Sequence, residues 1–260
     1  MVRFLLKTAN GLLTLMVTVA VLVCGAYSVF ALWDNRQIYA EAEHVQRELL
    51  SLKPQKNANG QQQEEGPSFA ELLDINPDVC AWLEMEGTAI DYPVLQGESN
   101  LSYINTDVYG NFALAGSIFL DSRNDRSFQD SVSLLYGHHM DNHAMFGDLD
   151  LYKVRAFFDE HRTGTLMTPD GDYALNTLAV LVLDAGDDVY FEPQAWEGDL
   201  DAFFEYTRQK ALYLQEDTVE ALEKAIMEDG EEGMQLLILS TCSSEFSNAR
   251  TLVLTWMRKK

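Results

Sequence analysis

One stretch near the N-terminus limits the fold of this chain more than any other feature. Residues 8–33 contain no charged side chain, and residues 11–33 are almost wholly apolar. A transmembrane helix needs about 20 such residues. Arg3 and Lys7 precede the stretch and Asp34 follows it. Because positive charge favours the cytoplasmic side, we predict that the short N-terminus is cytoplasmic and that everything after Asp34 lies outside the cell.

A cleaved signal peptide is the alternative interpretation of this stretch. The apolar core of a signal peptide is only about 7–15 residues long and ends at a site of small residues. Here the apolar run is longer and ends among Tyr27, Phe30 and Trp33. The sequence therefore predicts an uncleaved, single-pass anchor in the cell membrane.

The charge of the chain is concentrated after the anchor. Residues 1–67 hold equal numbers of basic and acidic side chains, so the net charge of −23 belongs to residues 68–260. Such a surface repels nucleic acid and anionic lipid. We predict a well-solvated extracellular domain and no nucleic-acid partner.

The remaining sequence divides by composition. Residues 34–53 have helical composition with Asp34 as a candidate N-cap, and residues 54–67 are rich in Gln, Asn and Gly, as in a flexible spacer. The predicted organisation has four parts: a cytoplasmic N-terminus at 1–7, a transmembrane anchor at 8–33, a helical stalk and flexible linker at 34–67, and a compact domain at 68–260.

The compact domain reads as mainly β. Eight short apolar runs separated by turn signals predict eight strands, which suggests a closed β-barrel. The runs are 80–85, 89–96, 116–121, 131–138, 164–169, 173–185, 234–242 and 250–257. Peripheral helices are predicted at 99–106, 144–151, 153–160, 199–213 and 218–229.

Two of these runs end in residues suited to thiolate chemistry. LLILSTC ends at Cys242, and VSLLYGH ends at His138. A cysteine and a histidine at the tips of two rigid strands are the minimum for nucleophilic catalysis by a thiolate. Arg250, on the following strand, is suited to holding a carbonyl or stabilising an oxyanion.

Each of these residues also has an ordinary structural interpretation. Cys242 is alternatively a packed core thiol, although the small polar residues around it, Ser240 and Thr241 among them, are typical of an exposed strand end. Arg250 is alternatively a surface strand residue. Cys80, within DVCAWL, is predicted to be buried, and the three cysteines form no disulfide framework.

The histidine-rich segment HHMDNH invites a metal-site interpretation. It lacks the i, i+4 spacing of a helical site and the cysteine or carboxylate ligands of a zinc site. We predict no metal and no cofactor.

Taken together, these motifs resemble the class B sortases, membrane-anchored cysteine transpeptidases of Gram-positive bacteria. The family signature TLxTC appears as ILSTC at 238–242, and YGHxM appears as YGHHM at 136–140, followed by MFGDL at 145–149. The segments 75–97 and 115–124 resemble the early strands of the family. The similarity covers roughly 68–260.

The resemblance implies a fold and a set of roles. The fold would be a closed eight-stranded sortase-type β-barrel with peripheral helices, of which the helix at 199–213 matches the feature that separates class B from class A. Cys242 would be the nucleophile, His138 the acid and base, and Arg250 the residue that orients the substrate carbonyl. Substrate contacts would come from Ser240, Thr241, Asn100 and Ile104.

The chain also departs from the family pattern. Ser243 and Ser244 stand where some members carry an acidic residue after the cysteine, and Glu245 is a possible substitute. The predicted helix at 218–229 resembles an insertion near the active site.

The implied reaction cleaves a C-terminal sorting motif of a secreted protein, NPxTN-like or TG-ended, after threonine. The thioacyl-enzyme would then be transferred to an amine of the peptidoglycan cross-bridge, of its lipid-linked precursor, or of a pilin lysine. Two alternatives stay open: a cysteine hydrolase that transfers its product to water, and a catalytically silent surface-binding module.

Overall fold

The computed structural model describes residues 2–55, 67–193, 200–230, 233–242 and 248–260. It divides into two compact units, Met1–Glu41 and Ala42–Lys260. The first unit belongs to helix α1, Val2–Leu50. Among the described residues this is the one helix long and apolar enough to cross a membrane.

Helix α1 continues without a break through Asp34. The prediction that a separate helix starts at Asp34 is therefore wrong, because residues 8–33 and residues 34–50 belong to one continuous helix. The compact unit that contains the barrel begins at Ala42, and so includes the end of α1 as well as the predicted domain at 68–260.

The second unit is a mixed β-barrel. The described strands are β1 Val79–Met85, β2 Asp91–Leu95, β3 Ile118–Leu120, β4 Val132–Tyr136, β5 Thr163–Thr168, β6 Gly171–Asp184, β7 Tyr213–Leu214, β8 Gln235–Cys242 and β9 Ala249–Lys259. Eight of them follow the order β1-β2-β3-β4-β8-β9-β6-β5, and β5 pairs with both β6 and β1, which closes the ring. The short β7 pairs with β6. The predicted closed eight-stranded barrel is confirmed.

The direction of two strand pairs matters for the site. β2 and β3 are parallel, and so are β4 and β8, whereas the other paired strands are antiparallel. Parallel neighbours end at the same edge of a sheet, so the ends of β4 and β8 lie together.

The helices after α1 are α2 Phe69–Ile75, a 3₁₀ helix Gly147–Lys153, α3 Arg155–Glu160, α4 Asp188–Phe191, α5 Leu200–Lys210 and α6 Glu216–Asp229. The predicted helices at 153–160, 199–213 and 218–229 correspond to α3, α5 and α6. The predicted helix at 144–151 is instead the 3₁₀ helix, displaced toward the C-terminus.

The predicted helix at 99–106 is wrong, because this segment forms turns and bends. Its polar side chains form hydrogen bonds that a helix would not have, some within the segment and some to residues just after β3. Ser99 and Ser102 bond to one another and to local backbone, and Asn100 bonds to Asp121 and to the amide of Ser122. Such side-chain bonds compete with the helical backbone pattern.

In the described part of the chain, two apolar clusters join the helices to the barrel. The first packs α5 and α6, through side chains such as Phe203 and Leu222, against β4, β6, β8 and β9. The second joins the end of α1 to α2, β1 and the turns after β2, with Leu49, Leu72 and Trp82 among its buried members. The burial of these side chains removes apolar surface from water, which is the main stabilising contribution to the fold.

Candidate active site

The end of β4 is held against the end of β8. Tyr136 pairs with Ser240 in the parallel register, and the amide of Gly137 donates to the carbonyl oxygen of Ser240 at 3.2 Å. His138 follows Tyr136 by two residues, and Cys242 follows Ser240 by two. The parallel register therefore brings these two residues to the same edge of the sheet.

The end of β8 is also paired with the start of β9. Cys242 lies opposite Arg250 in the antiparallel register. Adjacent strands are about 4.8 Å apart, so His138, Cys242 and Arg250 come from three successive strands at one edge. The structure describes Cys242 through its backbone pairing, whereas Ser243, Ser244 and Glu245 lie outside the described residues.

The ring of His138 is half-buried and has a defined partner. Its Nε2 lies 2.8 Å from the carbonyl oxygen of Ile104. Because a carbonyl oxygen only accepts hydrogen bonds, Nε2 must carry a proton. In the neutral ring, Nδ1 is then the basic nitrogen.

Ile104 therefore supports the site through its backbone. Its side chain packs partly buried against the cluster that contains the end of α1. The adjacent turn is sterically restricted, since a Cβ added to Gly116 would stand 2.3 Å from the Ile104 carbonyl oxygen. The position of this oxygen is thus fixed by packing on both sides.

Asn100, predicted to contact substrate, uses its amide within the protein. Its Nδ2 donates to Asp121 Oδ2 at 2.9 Å, and its Oδ1 accepts from the amide of Ser122 at 2.7 Å. These bonds fix the turn after β2 against the end of β3. A substrate contact by Asn100 stays a prediction.

The Asp121 carboxylate is a feature that the sequence analysis missed. It is fully buried and accepts hydrogen bonds from Arg123 Nε and Nη2, from Asn100, and from the hydroxyl of Tyr136 at 3.1 Å. Burial raises the pKa of Asp121, but the bonds from Arg123 and Asn100 outweigh it and hold the pKa below its usual value. The ionised carboxylate therefore anchors Tyr136, two residues before His138.

Ser240 and Thr241 are both buried. Thr241 Oγ1 donates to the carbonyl oxygen of Gly137 at 2.8 Å, which ties β8 to the residue before His138. Ser240 Oγ is buried and has no hydrogen-bond partner among the described residues. The predicted contact of these two residues with substrate stays a prediction.

Arg250 is half-buried, and its Nη1 donates to the carbonyl oxygen of Ala249 at 3.1 Å. A guanidinium carries five donors in a planar fork and stays charged at any physiological pH. With respect to the described residues, most of its donors are therefore available for an anionic or carbonyl oxygen at this edge of the sheet.

A second carboxylate lies behind the site. Asp150 Oδ2 is 3.0 Å from His139 Nε2, and Asp150 Oδ1 accepts from Lys153 Nζ at 2.8 Å and from Thr251 Oγ1 at 3.4 Å. Asp150 thus links the residue after His138 to the residue after Arg250. No group of three or more metal-binding side chains occurs in the described part of the chain.

Comparisons with known proteins give the family. No protein-family model matches the chain. It is 26% identical over 244 residues to Sortase B of Staphylococcus aureus (strain NCTC 8325 / PS 47), with 93% of each chain covered. It is 28% identical to Sortase B of Listeria monocytogenes, over 90% of this chain and 89% of the relative.

Solved structures agree. The class B sortase Spy0129 of Streptococcus pyogenes, which is involved in pilus biogenesis, is 36% identical, with 73% of this chain and 97% of that chain covered at a TM-score of 0.64. The Staphylococcus aureus sortase B–substrate complex is 26% identical, with 87% and 98% covered at a TM-score of 0.66. The chain belongs to the class B sortases and is a cysteine transpeptidase.

Proposed function

We propose that this sortase uses Cys242, His138 and Arg250 to cleave a sorting motif, NPxTN-like or TG-ended, after its threonine and to transfer the new acyl end to an amine. The observation that carries this proposal is the strand register. β4 and β8 end at the edge where β9 begins: His138 and Cys242 each follow the paired residues Tyr136 and Ser240 by two positions, and Arg250 lies opposite Cys242.

The first half of the reaction forms a thioester. The thiolate of Cys242 attacks the threonine carbonyl carbon, and the negative charge moves to the carbonyl oxygen. Arg250 donates hydrogen bonds to that oxygen as the charge develops. The C–N bond then breaks, and protonated His138 gives its proton to the departing amine.

The second half regenerates the enzyme. An acceptor amine attacks the thioester, neutral His138 removes its proton, and collapse of the intermediate expels the Cys242 thiolate. The bond from His138 Nε2 to the Ile104 carbonyl supports Nδ1 as the nitrogen that gives and takes this proton.

The chain would work at the cell membrane, anchored by residues 8–33 with its N-terminus in the cytoplasm. The substrate would be the sorting signal of a secreted protein. The acceptor amine would belong to the peptidoglycan cross-bridge, its lipid-linked precursor, or a pilin lysine. The substrate complex of the Staphylococcus aureus relative and the pilus role of Spy0129 support this choice of substrates.

The test uses the soluble unit Ala42–Lys260 with fluorogenic peptides of the NPQTN, LPxTG and SPxTG types, with and without an amine acceptor. We expect amine-dependent ligation that is lost in Cys242→Ala and His138→Ala. Arg250→Ala should lower kcat by about 10²–10³, the usual effect of removing an oxyanion donor. Lys224→Ala is the control, because Lys224 is an exposed residue that pairs only with Glu228 in the described structure.

Three results would contradict the proposal. Peptide cleavage at the same rate with and without the amine, and without a ligated product, would favour a hydrolase. Full ligation by Cys242→Ala would remove the thioacyl mechanism, and the absence of any acyl adduct with all three peptide types would favour a surface-binding module.

A further inference from the structure

We propose that residues 42–53, the end of α1 and the turn that follows it, position the loop of residues 137–146, which carries His138. We also propose that residues 42–53 bind the barrel by their own contacts, without the covalent connection through residues 56–66. We call residues 42–53 the juxtamembrane segment. The first part of this inference rests on the proposed role of His138, and the second part does not.

The juxtamembrane segment is packed as a core element. Leu49 is only 4% exposed and Ala42 is 8% exposed, whereas Leu50, the next residue on the helix, is 39% exposed. Leu49 belongs to the cluster of Leu72, Trp82 and other barrel side chains. The segment therefore covers apolar surface that the barrel would otherwise expose to water.

Ion pairs fix the end of the segment. Lys53 Nζ lies 2.6 Å from Glu84 Oε2 and 2.9 Å from Asp91 Oδ1, and these two acids lie on β1 and β2. The amide of Gln55 then donates to the carbonyl oxygen of Pro67 at 3.0 Å. Gln55 and Pro67, which flank residues 56–66 in the sequence, are therefore in direct hydrogen-bond contact.

Polar contacts join the segment to the loop after His138. Glu43 Oε1 accepts from Asn142 Nδ2 at 3.2 Å. Gln46 Nε2 donates to the carbonyl oxygen of Ala89 at 2.9 Å. The amide of Ala89 in turn donates to Asp148 Oδ2 at 2.6 Å.

The loop needs such support because of its backbone. His143 and Met145 are non-glycine residues with φ of 68° and 53°, in the left-handed region that side chains disfavour. Asp148 Oδ1 holds His143 Nδ1 at 2.6 Å, and the amide of Phe146 donates to the carbonyl oxygen of His138 at 3.0 Å. Strained residues of this kind persist when neighbouring contacts determine their conformation.

The segment also belongs to the apolar cluster that contains the hydrogen-bond partner of the His138 ring. The apolar cluster that contains Leu49 includes Tyr103 and, partly buried, Ile104. The carbonyl oxygen of Ile104 accepts the hydrogen bond of His138 Nε2 at 2.8 Å. Movement of the juxtamembrane segment would therefore disturb both the loop and the partner of the histidine ring.

The first experiment tests binding without catalysis. In the full chain, reconstituted in nanodiscs and held on resin by an N-terminal tag, the recognition sequence of a site-specific protease replaces residues 57–63. After complete cleavage we expect the barrel to stay on the resin through washing. Leu49→Gln should release most of it, whereas the matched control Leu50→Gln should retain it. Release of the cleaved barrel without substitution would overturn the inference.

The second experiment tests positioning. Glu43→Ala and Asn142→Ala in the full chain should each lower kcat by about threefold to tenfold, since small displacements of a catalytic group are enough for such losses. The KM for the sorting peptide should stay within about twofold. The double variant should be no worse than either single variant. Glu43→Gln, which keeps the accepting oxygen, should restore kcat.

An unchanged kcat in Glu43→Ala, with the parent enzyme active, would overturn the positioning role. Failure of the proposed function has a different signature, because it leaves no ligation in any variant while the resin experiment still reports on binding.

Discussion

Substitution of Asp121, which is buried away from solvent, should destabilise the barrel strongly. Its carboxylate is fully buried and accepts bonds from Arg123, Asn100 and Tyr136. Removing one partner of a buried charge pair costs about 3–5 kcal/mol. The Arg123 side chain is 40% exposed and can regain water, so we expect about 3 kcal/mol for Asp121→Asn, at the lower end of that range.

The assay is urea and thermal unfolding of Ala42–Lys260 at pH 7. In a unit of this size, a loss of 3 kcal/mol corresponds to a decrease in Tm of about 6–12 °C. The control is Glu192→Gln, which removes the exposed partner of the same guanidinium and should cost less than about 1 kcal/mol. If Asp121→Asn lowered the free energy of unfolding by less than about 1 kcal/mol, the reasoning would be refuted. The buried partner of Arg123 would then contribute no more to stability than an exposed partner such as Glu192.

The same substitution has a pH signature. The folded pKa of Asp121 is lowered, so its ionisation stabilises the native state above the unfolded pKa of about 3.9. This contribution is lost as the pH falls below that value toward the folded pKa. The stability difference between the parent unit and Asp121→Asn should therefore be constant from pH 7 to pH 5 and shrink below about pH 4.

Two other predictions follow from packing around the site. Gly116→Ala should lower both Tm and kcat, because Gly116 has φ of 58° and the new Cβ would displace the Ile104 carbonyl that accepts from His138. The control is Gly110→Ala, where φ is also positive but nothing lies within 4 Å of the added Cβ. An unchanged kcat in Gly116→Ala would contradict the prediction. When the folded Ala42–Lys260 unit is treated with iodoacetamide, peptide mass spectrometry should show that Cys242 is modified and Cys80 is not. The reason is that burial raises the pKa of the Cys80 thiol to about 12. Modification of Cys80 at a rate comparable to that of Cys242 would contradict the prediction.

The strands could be predicted from sequence because each is a short apolar run bounded by turn residues. The tips of two such runs pointed to His138 and Cys242, but their proximity depends on the parallel pairing of β4 with β8. Sequence pattern does not specify which strands become neighbours. The comparison of motifs with a family supplied that part of the prediction.

Three features could not be predicted, for identifiable reasons. Asp121 is a single buried carboxylate whose partners come from three different segments, so no local pattern marks it. A helix is predicted at 99–106, but Asn100 donates to Asp121 and accepts from the amide of Ser122, just after β3. The apolar residues at the end of α1 indicated a helix, and only the fold shows that Leu49 is buried against the barrel.

The most direct test of the account is intact-protein mass spectrometry of Ala42–Lys260 incubated with a sorting peptide, before and after addition of an amine. We predict a mass increase equal to the acyl part of the peptide, located on Cys242, that disappears when the amine is added while the ligated product forms. The adduct should be absent from Cys242→Ala and present in Cys80→Ser. An adduct that persists in Cys242→Ala, or product formed in that variant, would contradict the central claim.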